Sequence, residues 1–278
     1  MAESRSRQRF GEMLARPEGA IDLAEASLLM ACEEYPDLDV GGYLSRLDAL
    51  GAELHSRVGG TADAAAVVAS LNAILFEEQG FSGNTADYYD PRNSFLNDVL
   101  DRRTGIPITL SMVYIEVARR GGVAVHGVGL PGHFIVKLAA PEGDLLVDPF
   151  HRGARLSLAD CQQRLDRIYE GRVKVEASML EPCASREILS RTLRNLRAIY
   201  ARAEDLPRAI RTVDLLLVLD PGSPHHLRDR GMLYAALDCY ALAANDLEEA
   251  VRRAPASPEA AALREKIDGL RQKAARLH

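Results

Sequence analysis

A 34-residue period in the last third of the chain constrains its fold most strongly. Pro221 in LVLDPGSP and Pro255 in VRRAPASP lie 34 residues apart. A tyrosine stands 21 residues before each proline and an alanine 12 residues before it: Tyr200 and Tyr234, Ala209 and Ala243. A single unit of this kind cannot bury its apolar face alone, so successive units must stack. The period therefore predicts a module of stacked helix pairs.

The period and its repeated residues are those of tetratricopeptide repeats. Paired helices that cross closely need a small residue, which is Gly231 in the second repeat, whereas the first repeat has Arg197 at that position. The following segment, SPEAAALREKIDGLRQKAARL, is typical of a capping helix. We predict a tetratricopeptide-repeat module with a capping helix over residues 186–278.

The first 80 residues contain three segments with the apolar spacing of helices. The first two segments span residues 21–34 and 39–58, and Thr61 can cap the third, whose apolar face contains Val67 and Leu71. We predict a helical N-terminal subdomain over residues 1–80.

A long polar segment follows, QGFSGNTADYYDPRNSFLNDVLDRRTGIP. Its glycines, prolines and asparagines predict an ordered loop with one short helix after Ser94, and loops of this kind often have a function. The candidate binding residues are six side chains of this loop and one histidine further along the chain: Asn84, Tyr88, Tyr89, Asp90, Arg92, Asn93 and His151.

After the polar loop, one helical pattern is followed by three strand patterns. Residues 108–120 have helical apolar spacing, and VAVHGVGL, HFIVKLAA and DLLVDPF are short β-branched runs typical of antiparallel strands. This order predicts an α+β core with a small antiparallel sheet over residues 81–185, placed between the helical subdomain and the all-α repeats.

Charge, cysteine spacing and hydropathy indicate which partners and which compartment to expect. The net charge of −6 argues against a phosphate-binding surface, so we predict no nucleic-acid partner. The four cysteines form no CxxC pair, which is typical of a reducing compartment. No run of about 18 apolar residues occurs, so we predict no membrane contact. We expect a cytoplasmic protein without a cofactor.

Residues 105–150 resemble the core of the transglutaminase-like superfamily, in which a cysteine begins a helix and a histidine and an aspartate lie on adjoining strands. The matching landmarks are ARRGGV at the helix end, GHFIVKL and LVDPF. The resemblance implies that His133 is a general base and that Asp148 holds its ring in the right tautomer. It also implies a papain-like arrangement of the core.

A wider resemblance extends over nearly the whole chain. EYPDLDV, the polar loop, GVGLPGHFIVKL, LLVDPFHRG and two C-terminal repeats are similar to bacterial transglutaminase-like proteins first named as invasion regulators. That family has a relative fused to an F-box in animals. The resemblance implies a context of protein handling.

The position of the nucleophile, aligned on that pattern, falls on Pro107 or its neighbour Ile108. Neither side chain can attack a carbonyl group, and none of the four cysteines is close in sequence. The hydroxyl groups of Ser111, Thr109 and Ser94 are possible substitutes.

Histidine and aspartate can bind zinc, but no HxH or HExxH spacing is present, so we predict no metal site.

Two hypotheses follow, and we favour the first. The chain is a catalytically silent transglutaminase-like protein that acts as a regulatory module and binds a protein or peptide through its repeats and cleft. Alternatively, it is a hydrolase or amide-transferring enzyme that uses His133 and Asp148 with a serine or threonine nucleophile. A hydroxyl oxygen at about 2.6 to 3.2 Å from the His133 ring would favour the enzyme. A third possibility is that both residues only brace the sheet.

Overall fold

The structure is a computed structural model that describes residues 5–60, 63–141 and 143–276. The chain divides into two compact units, Met1–Thr192 and Leu193–His278. The predicted fold class is confirmed, because the first unit contains helices and small sheets, and residues 193–276 of the second contain helices and no strand.

The first unit begins with four helices: α1 (Arg5–Leu14), α2 (Leu23–Ala31), α3 (Val40–Val58) and α4 (Ala64–Asn72). A π-helical turn, Ala73–Glu78, continues α4. Aspartate side chains accept hydrogen bonds from the first-turn backbone of three of these helices: Asp22, Asp39 and Asp63. The predicted cap Thr61 lies outside the described residues, and the Asp63 side chain caps α4.

Helix α6 (Pro107–Arg120) is the central element of this unit, and α5 (Leu96–Arg102) precedes it. Every residue from Pro107 to Ala118 is buried, so α6 has no solvent face along most of its length. Helix α3 crosses it closely, because a Cβ atom on Gly51 would lie 2.2 Å from the Cβ of Arg120. The helical N-terminal segment therefore packs around the helix that leads into the sheet.

A four-stranded antiparallel sheet follows in the order β3-β4-β5-β6: β3 (His126–Val128), β4 (Ile135–Leu138), β5 (Leu145–Asp148) and β6 (Ala154–Leu156). Helix α6 packs against β3 and β4. Cys161 of α7 (Leu158–Tyr169) joins an apolar cluster with Ile135 and Leu146. The three predicted strands are confirmed. Strand β6 was not predicted, because three residues are too few to establish an alternating pattern.

Two further short strands were not predicted either. They are β1 (Ser82–Gly83) and β2 (Thr104–Gly105), which pair in parallel. Each has only two residues, so no periodicity could indicate them. Their pairing brings the start of the polar loop beside the residues that precede α6.

The second unit contains the end of α8 (Ser185–Arg202) and four further helices: α9 (Leu206–Leu219), α10 (Pro224–Ala236), α11 (Tyr240–Arg253) and α12 (Ala260–Ala275). Arg230 of α10 pairs with Asp214 of α9 at 2.8 Å and with Asp246 of α11 at 2.7 Å, so one guanidinium group joins three helices. No described helix is long and apolar enough to cross a membrane.

We predict opposite effects for the same substitution at two glycines of this unit. A Cβ atom on Gly231 would lie 2.8 Å from Leu247 Cγ, so Gly231→Ala should lower the free energy of unfolding by about 1 to 3 kcal/mol. A Cβ atom on Gly269 of α12 meets nothing within 4 Å, so Gly269→Ala should raise it by about 0.5 to 1 kcal/mol. Urea unfolding followed by circular dichroism tests both, and equal effects would contradict the close crossing of α10 and α11.

Candidate functional site

Asp148 lies at the end of β5 and is fully buried. Its Oδ2 atom is 2.9 Å from His133 Nε2, 2.8 Å from His151 Nδ1 and 2.7 Å from Arg164 Nη2. Its Oδ1 atom accepts hydrogen bonds from the backbone N–H groups of Phe150 at 3.1 Å and His151 at 3.4 Å. One carboxylate thus organises two imidazole rings and a guanidinium group.

The hydrogen bonds of Asp148 fix its charge. Burial alone would raise its pKa, but hydrogen bonds from His133 and His151 outweigh burial and hold the pKa below its ordinary value. Because an anionic carboxylate only accepts, each imidazole must direct an N–H group at it. On a neutral ring, the lone pair of His133 Nδ1 or of His151 Nε2 therefore points away from Asp148 and is an acceptor for a hydrogen bond.

Contacts with the end of α4 and its π-helical turn hold the turn after Asp148. Arg152 and Gly153 both have positive φ, at 54° and 72°. Arg152 Nη2 donates to Phe76 O at 2.7 Å, and Asn72 Nδ2 donates to Gly153 O at 3.0 Å. A Cβ atom on Gly153 would lie 1.9 Å from Asn72 Oδ1, so this position requires glycine. The end of α4 and its π-helical turn thereby position the turn that contains His151.

Arg191 of α8 holds the loop that contains His133. Its guanidinium group donates to Leu130 O at 2.8 Å and to His133 O at 2.6 Å. Gly132, with φ 72°, makes the turn that leads into His133. The His133 side chain is only 9% exposed, so its position is fixed by packing as well as by Asp148.

Pro107 is the first residue of α6 and is buried. Thr109 Oγ1 accepts from Ile106 N–H at 3.1 Å and donates to Asn93 O at 2.7 Å. This hydroxyl group therefore caps the helix and anchors the polar loop. Within residues 5–60, 63–141 and 143–276, no hydroxyl group is hydrogen-bonded to the His133 ring.

The other two candidate hydroxyl groups are also buried. Neither Ser94 Oγ nor Ser111 Oγ has a hydrogen-bond partner among the described residues. Ser111 follows Pro107 by four residues, so both lie on one face of α6 and the serine side chain leans toward the first turn. Ser94 ends a 3₁₀ turn, Pro91–Ser94, and α5 begins after Phe95, so Ser94 does not cap that helix.

Most polar side chains of the loop bind within the loop. Asn84 Nδ2 donates to Asn93 Oδ1 at 3.0 Å, and Asn93 is fully buried. Asp90 is also buried and pairs with Arg92 at 2.9 Å and with Arg102 at 3.1 Å. Burial would raise the pKa of Asp90, but the hydrogen bonds from Arg92 hold it below its ordinary value. These four predicted binding residues thus stabilise the loop itself.

A row of aromatic rings, which we call the aromatic row, extends from the loop to the histidines. Tyr89 is 59% exposed and Tyr88 is 39% exposed, and their ring centroids are 5.3 Å apart. The Phe150 ring is 6.2 Å from Tyr88, 6.3 Å from His133 and 5.1 Å from His151. The aromatic row therefore connects exposed surface with the two imidazoles.

The histidine nitrogens and Asp148 could in principle hold a metal ion, because the ligand atoms of His133, Asp148 and His151 lie within 4.8 Å of one another. One nitrogen of each ring, His133 Nε2 and His151 Nδ1, however, points at the same carboxylate oxygen, Asp148 Oδ2. Arg164 donates to that oxygen as well, and its permanent positive charge opposes a cation there. The donor set fits a hydrogen-bonded cluster better than a metal site.

Sequence reasoning missed three residues that hold this site. Arg164 is 16 residues from Asp148 and lies on α7, and no sequence pattern links the two. Arg191 and Asn72 act on backbone carbonyl groups from still more distant elements. The sequence signal that was available, the GHF and DPF landmarks, identifies only the two residues that these contacts position.

Comparison with known proteins agrees with the two-part architecture. The sequence pattern of the transglutaminase-like superfamily matches residues 42–194, and a tetratricopeptide-repeat pattern matches residues 196–268. The matched regions meet within α8.

Several curated relatives cover most of the chain. A UPF0162 protein of Xylella fastidiosa is 40% identical over 240 residues, which cover 85% of each chain. The UPF0162 protein YchA of Escherichia coli K12 is 29% identical over 260 residues, which cover 90% of this chain and 94% of that protein. F-box only protein 21 of Mus musculus is 29% identical over 180 residues, covering 60% of this chain and 28% of that protein.

Replacing the buried carboxylate should destabilise the first unit in a pH-dependent manner. Asp148→Asn removes an anion that pairs with Arg164, so the free energy of unfolding should fall by about 1.5 to 3 kcal/mol near pH 7. Because the folded-state pKa is below the ordinary value, this stabilisation is present above about pH 4 and is lost as the pH falls through the folded-state pKa. Urea unfolding at several pH values measures it.

The matched control is Asp144→Asn, which removes an exposed carboxylate immediately before the same strand. Asp144 is 47% exposed and pairs only with Lys137 at 3.1 Å among the described residues, so the loss should stay below about 1 kcal/mol. Equal losses for the two variants, or an Asp148→Asn difference that grows toward low pH, would contradict the role given to Asp148.

Proposed function

Because this chain belongs to the transglutaminase-like superfamily and to the UPF0162 proteins, we propose that it is a catalytically silent, cytoplasmic member that binds and regulates a protein partner. The proposal places a peptide segment of that partner in the cleft beside His133. The repeats supply a second contact surface, since tetratricopeptide repeats generally mediate interactions between proteins.

The observation that carries the proposal is Pro107 at the start of α6. A cysteine at this position would have its thiolate stabilised by the positive end of the helix and by a neighbouring imidazole. Proline supplies no nucleophile and is a favourable first residue of a helix. The hydroxyl group of Thr109 is already used in capping.

The remaining side chains of the cleft suit binding. The lone pair of His133 Nδ1 can accept a hydrogen bond from a peptide N–H group, and that of His151 Nε2 can accept a second. The aromatic row supplies apolar area next to them, with little conformational entropy to lose. A cleft of this kind binds its ligand without forming or breaking a covalent bond.

A thiol introduced at the start of α6 tests this assignment. In Pro107→Cys, the helix and His133 should lower the pKa of the new thiol below about 8.5, its ordinary value. Iodoacetamide at about pH 6.5 should then alkylate it at least about tenfold faster than the exposed Cys239 of the same molecule. Mass spectrometry of tryptic peptides reports both rates in one sample.

The control is the double variant Pro107→Cys, His133→Ala, in which the rate advantage should fall while alkylation of Cys239 is unchanged. An introduced thiol that reacts no faster than Cys239 would mean that Pro107 does not occupy the nucleophile position. Pro107 would then no longer indicate a silent cleft.

The enzyme hypothesis retains one supporting observation, the unpartnered buried hydroxyl group of Ser111 on the face of Pro107. A nucleophilic serine would need to reach His133 when a ligand binds. We expect the unmodified protein to release no amine from fluorogenic peptide amides above the level of Asp148→Asn. Turnover that disappears in Ser111→Ala would establish the enzyme instead.

A further inference from the structure

We infer that the first unit binds a small amphipathic anion, a molecule with an apolar body and one anionic head group, in a cavity between α1, α2 and the start of α3. This α1–α3 cavity has a volume of about 680 Å³. Sites for small molecules typically measure about 300 to 1,000 Å³, so the cavity has the size of a ligand site. His133, Asp148 and His151 do not line it, and the inference is independent of the proposed function.

The sequence motif EYPDLDV, residues 34–40, forms one wall of the α1–α3 cavity. Leu38 and Asp39 of the motif line the cavity. The motif is fixed at two points, because Tyr35 OH donates to Asp98 Oδ2 of α5 at 2.6 Å and the Asp39 side chain accepts from the first turn of α3. This wall is therefore held in place by the protein itself.

Another part of the cavity wall is apolar. Leu29 of α2 and Leu44 of α3 line it, together with Leu38 of the motif. Leu29 is only 1% exposed, so its position is set by packing within the unit. The Cys32 side chain also lines the cavity and behaves as a small apolar group. An aliphatic chain that packs against these side chains is removed from water, which favours binding.

Two arginines of α1 line the same cavity. Arg5 and Arg9 are four residues apart, so they lie on one face of α1. Arg9 Nη2 donates to Glu25 Oε1 at 2.9 Å, and the Arg9 side chain is 49% exposed. A guanidinium group has five N–H donors and can serve a second carboxylate or a phosphate. The two arginines therefore supply a site for the head group of the ligand.

Three acidic side chains also line the cavity, and each accepts a hydrogen bond from a donor of the protein. Glu25 pairs with Arg9, and Glu33 accepts from Arg7 Nη2 at 2.6 Å. Asp39 caps α3. Because these carboxylates already have guanidinium or backbone N–H partners, they do not require a cationic ligand.

The Cys32 thiol indicates the sign of the local field. Burial raises its pKa above the ordinary value. Among the neighbouring charges, the positive charge of Arg9 favours the thiolate more strongly than the negative charge of Glu33 opposes it. The charged side chains near this part of the wall thus favour an anion, in agreement with the positions of Arg5 and Arg9.

Equilibrium dialysis of the full chain at about pH 7 tests the inference. The probes are radiolabelled octanoate and octyl phosphate, and the comparison probe is octylamine, which has the same chain and is a cation at this pH. We expect saturable binding of one anion per chain, with a dissociation constant of about 1 mM or below. Octylamine should bind at least about tenfold more weakly. The anion that binds more tightly identifies the head group.

Removal of the two cations should weaken binding. Arg5→Gln combined with Arg9→Gln should raise the dissociation constant of the anions at least about tenfold. The matched control is Arg167→Gln combined with Arg172→Gln, which removes two cations of the first unit that do not line the cavity. This control should leave the dissociation constant within about twofold of that of the unmodified protein.

Filling the cavity gives a second test that keeps all charges. Gly41, in the first turn of α3, lines the cavity, and a Cβ atom there would lie 3.6 Å from Asp39 Oδ1, which is an ordinary contact. Gly41→Leu should therefore fold, and it should weaken binding of the anions at least about tenfold. The control is Gly269→Leu in α12, where a Cβ atom meets nothing within 4 Å, and it should leave binding unchanged. Urea unfolding confirms that each variant is folded.

The inference is overturned if neither anion binds, if octylamine binds equally well, or if the control pair of arginines weakens binding as much as the replacement of Arg5 and Arg9. Binding that Gly41→Leu leaves unchanged would place the anion outside the α1–α3 cavity and would also contradict the inference.

Discussion

The hydrogen bonds to the Asp148 carboxylate are the interaction on which the rest of the site depends. Five N–H groups from three parts of the first unit converge on its two oxygens. A buried carboxylate without such donors would be costly, and it would take up a proton instead. Once it is anionic, it determines where the loop before β4, the turn after β5 and helix α7 can lie.

If the site is silent, as we propose, this constraint explains how it stays ordered without a nucleophile. In a cysteine enzyme of this type, the aspartate orients the histidine so that its other nitrogen can accept the thiol proton. Here the same orientation directs His133 Nδ1 away from Asp148, and Pro107 is the first residue of α6. Under the proposed function, the nitrogen that would take a proton from a thiol instead accepts a hydrogen bond from a ligand N–H group.

The sequence predicts much of the fold because local signals report it. The 34-residue period fixes the repeats, helical spacing fixes α2, α3 and α6, and β-branched runs fix three strands. His133 and Asp148 follow from motifs at strand ends. The periodic patterns and the motifs can be recognised without knowing which distant residues are in contact.

The contacts that determine the use of the site have no signature in the sequence pattern. Arg164 reaches Asp148 from α7, and Asn93 is buried by bonds within its own loop although its sequence context is that of an exposed loop residue. Neither contact alters hydrophobic periodicity. A polar loop residue therefore looks the same in sequence whether it binds a ligand or stabilises the loop.

Nitrogen NMR of the imidazole rings in ¹⁵N-labelled full-length protein tests the central claim most directly, since it reports which ring nitrogen bears the proton. Near neutral pH, the account predicts that His133 is protonated at Nε2 and His151 at Nδ1, each toward Asp148. In Asp148→Asn, both preferences should weaken. A proton on Nδ1 of neutral His133, or tautomers that do not respond to Asp148→Asn, would contradict a carboxylate that organises the cleft.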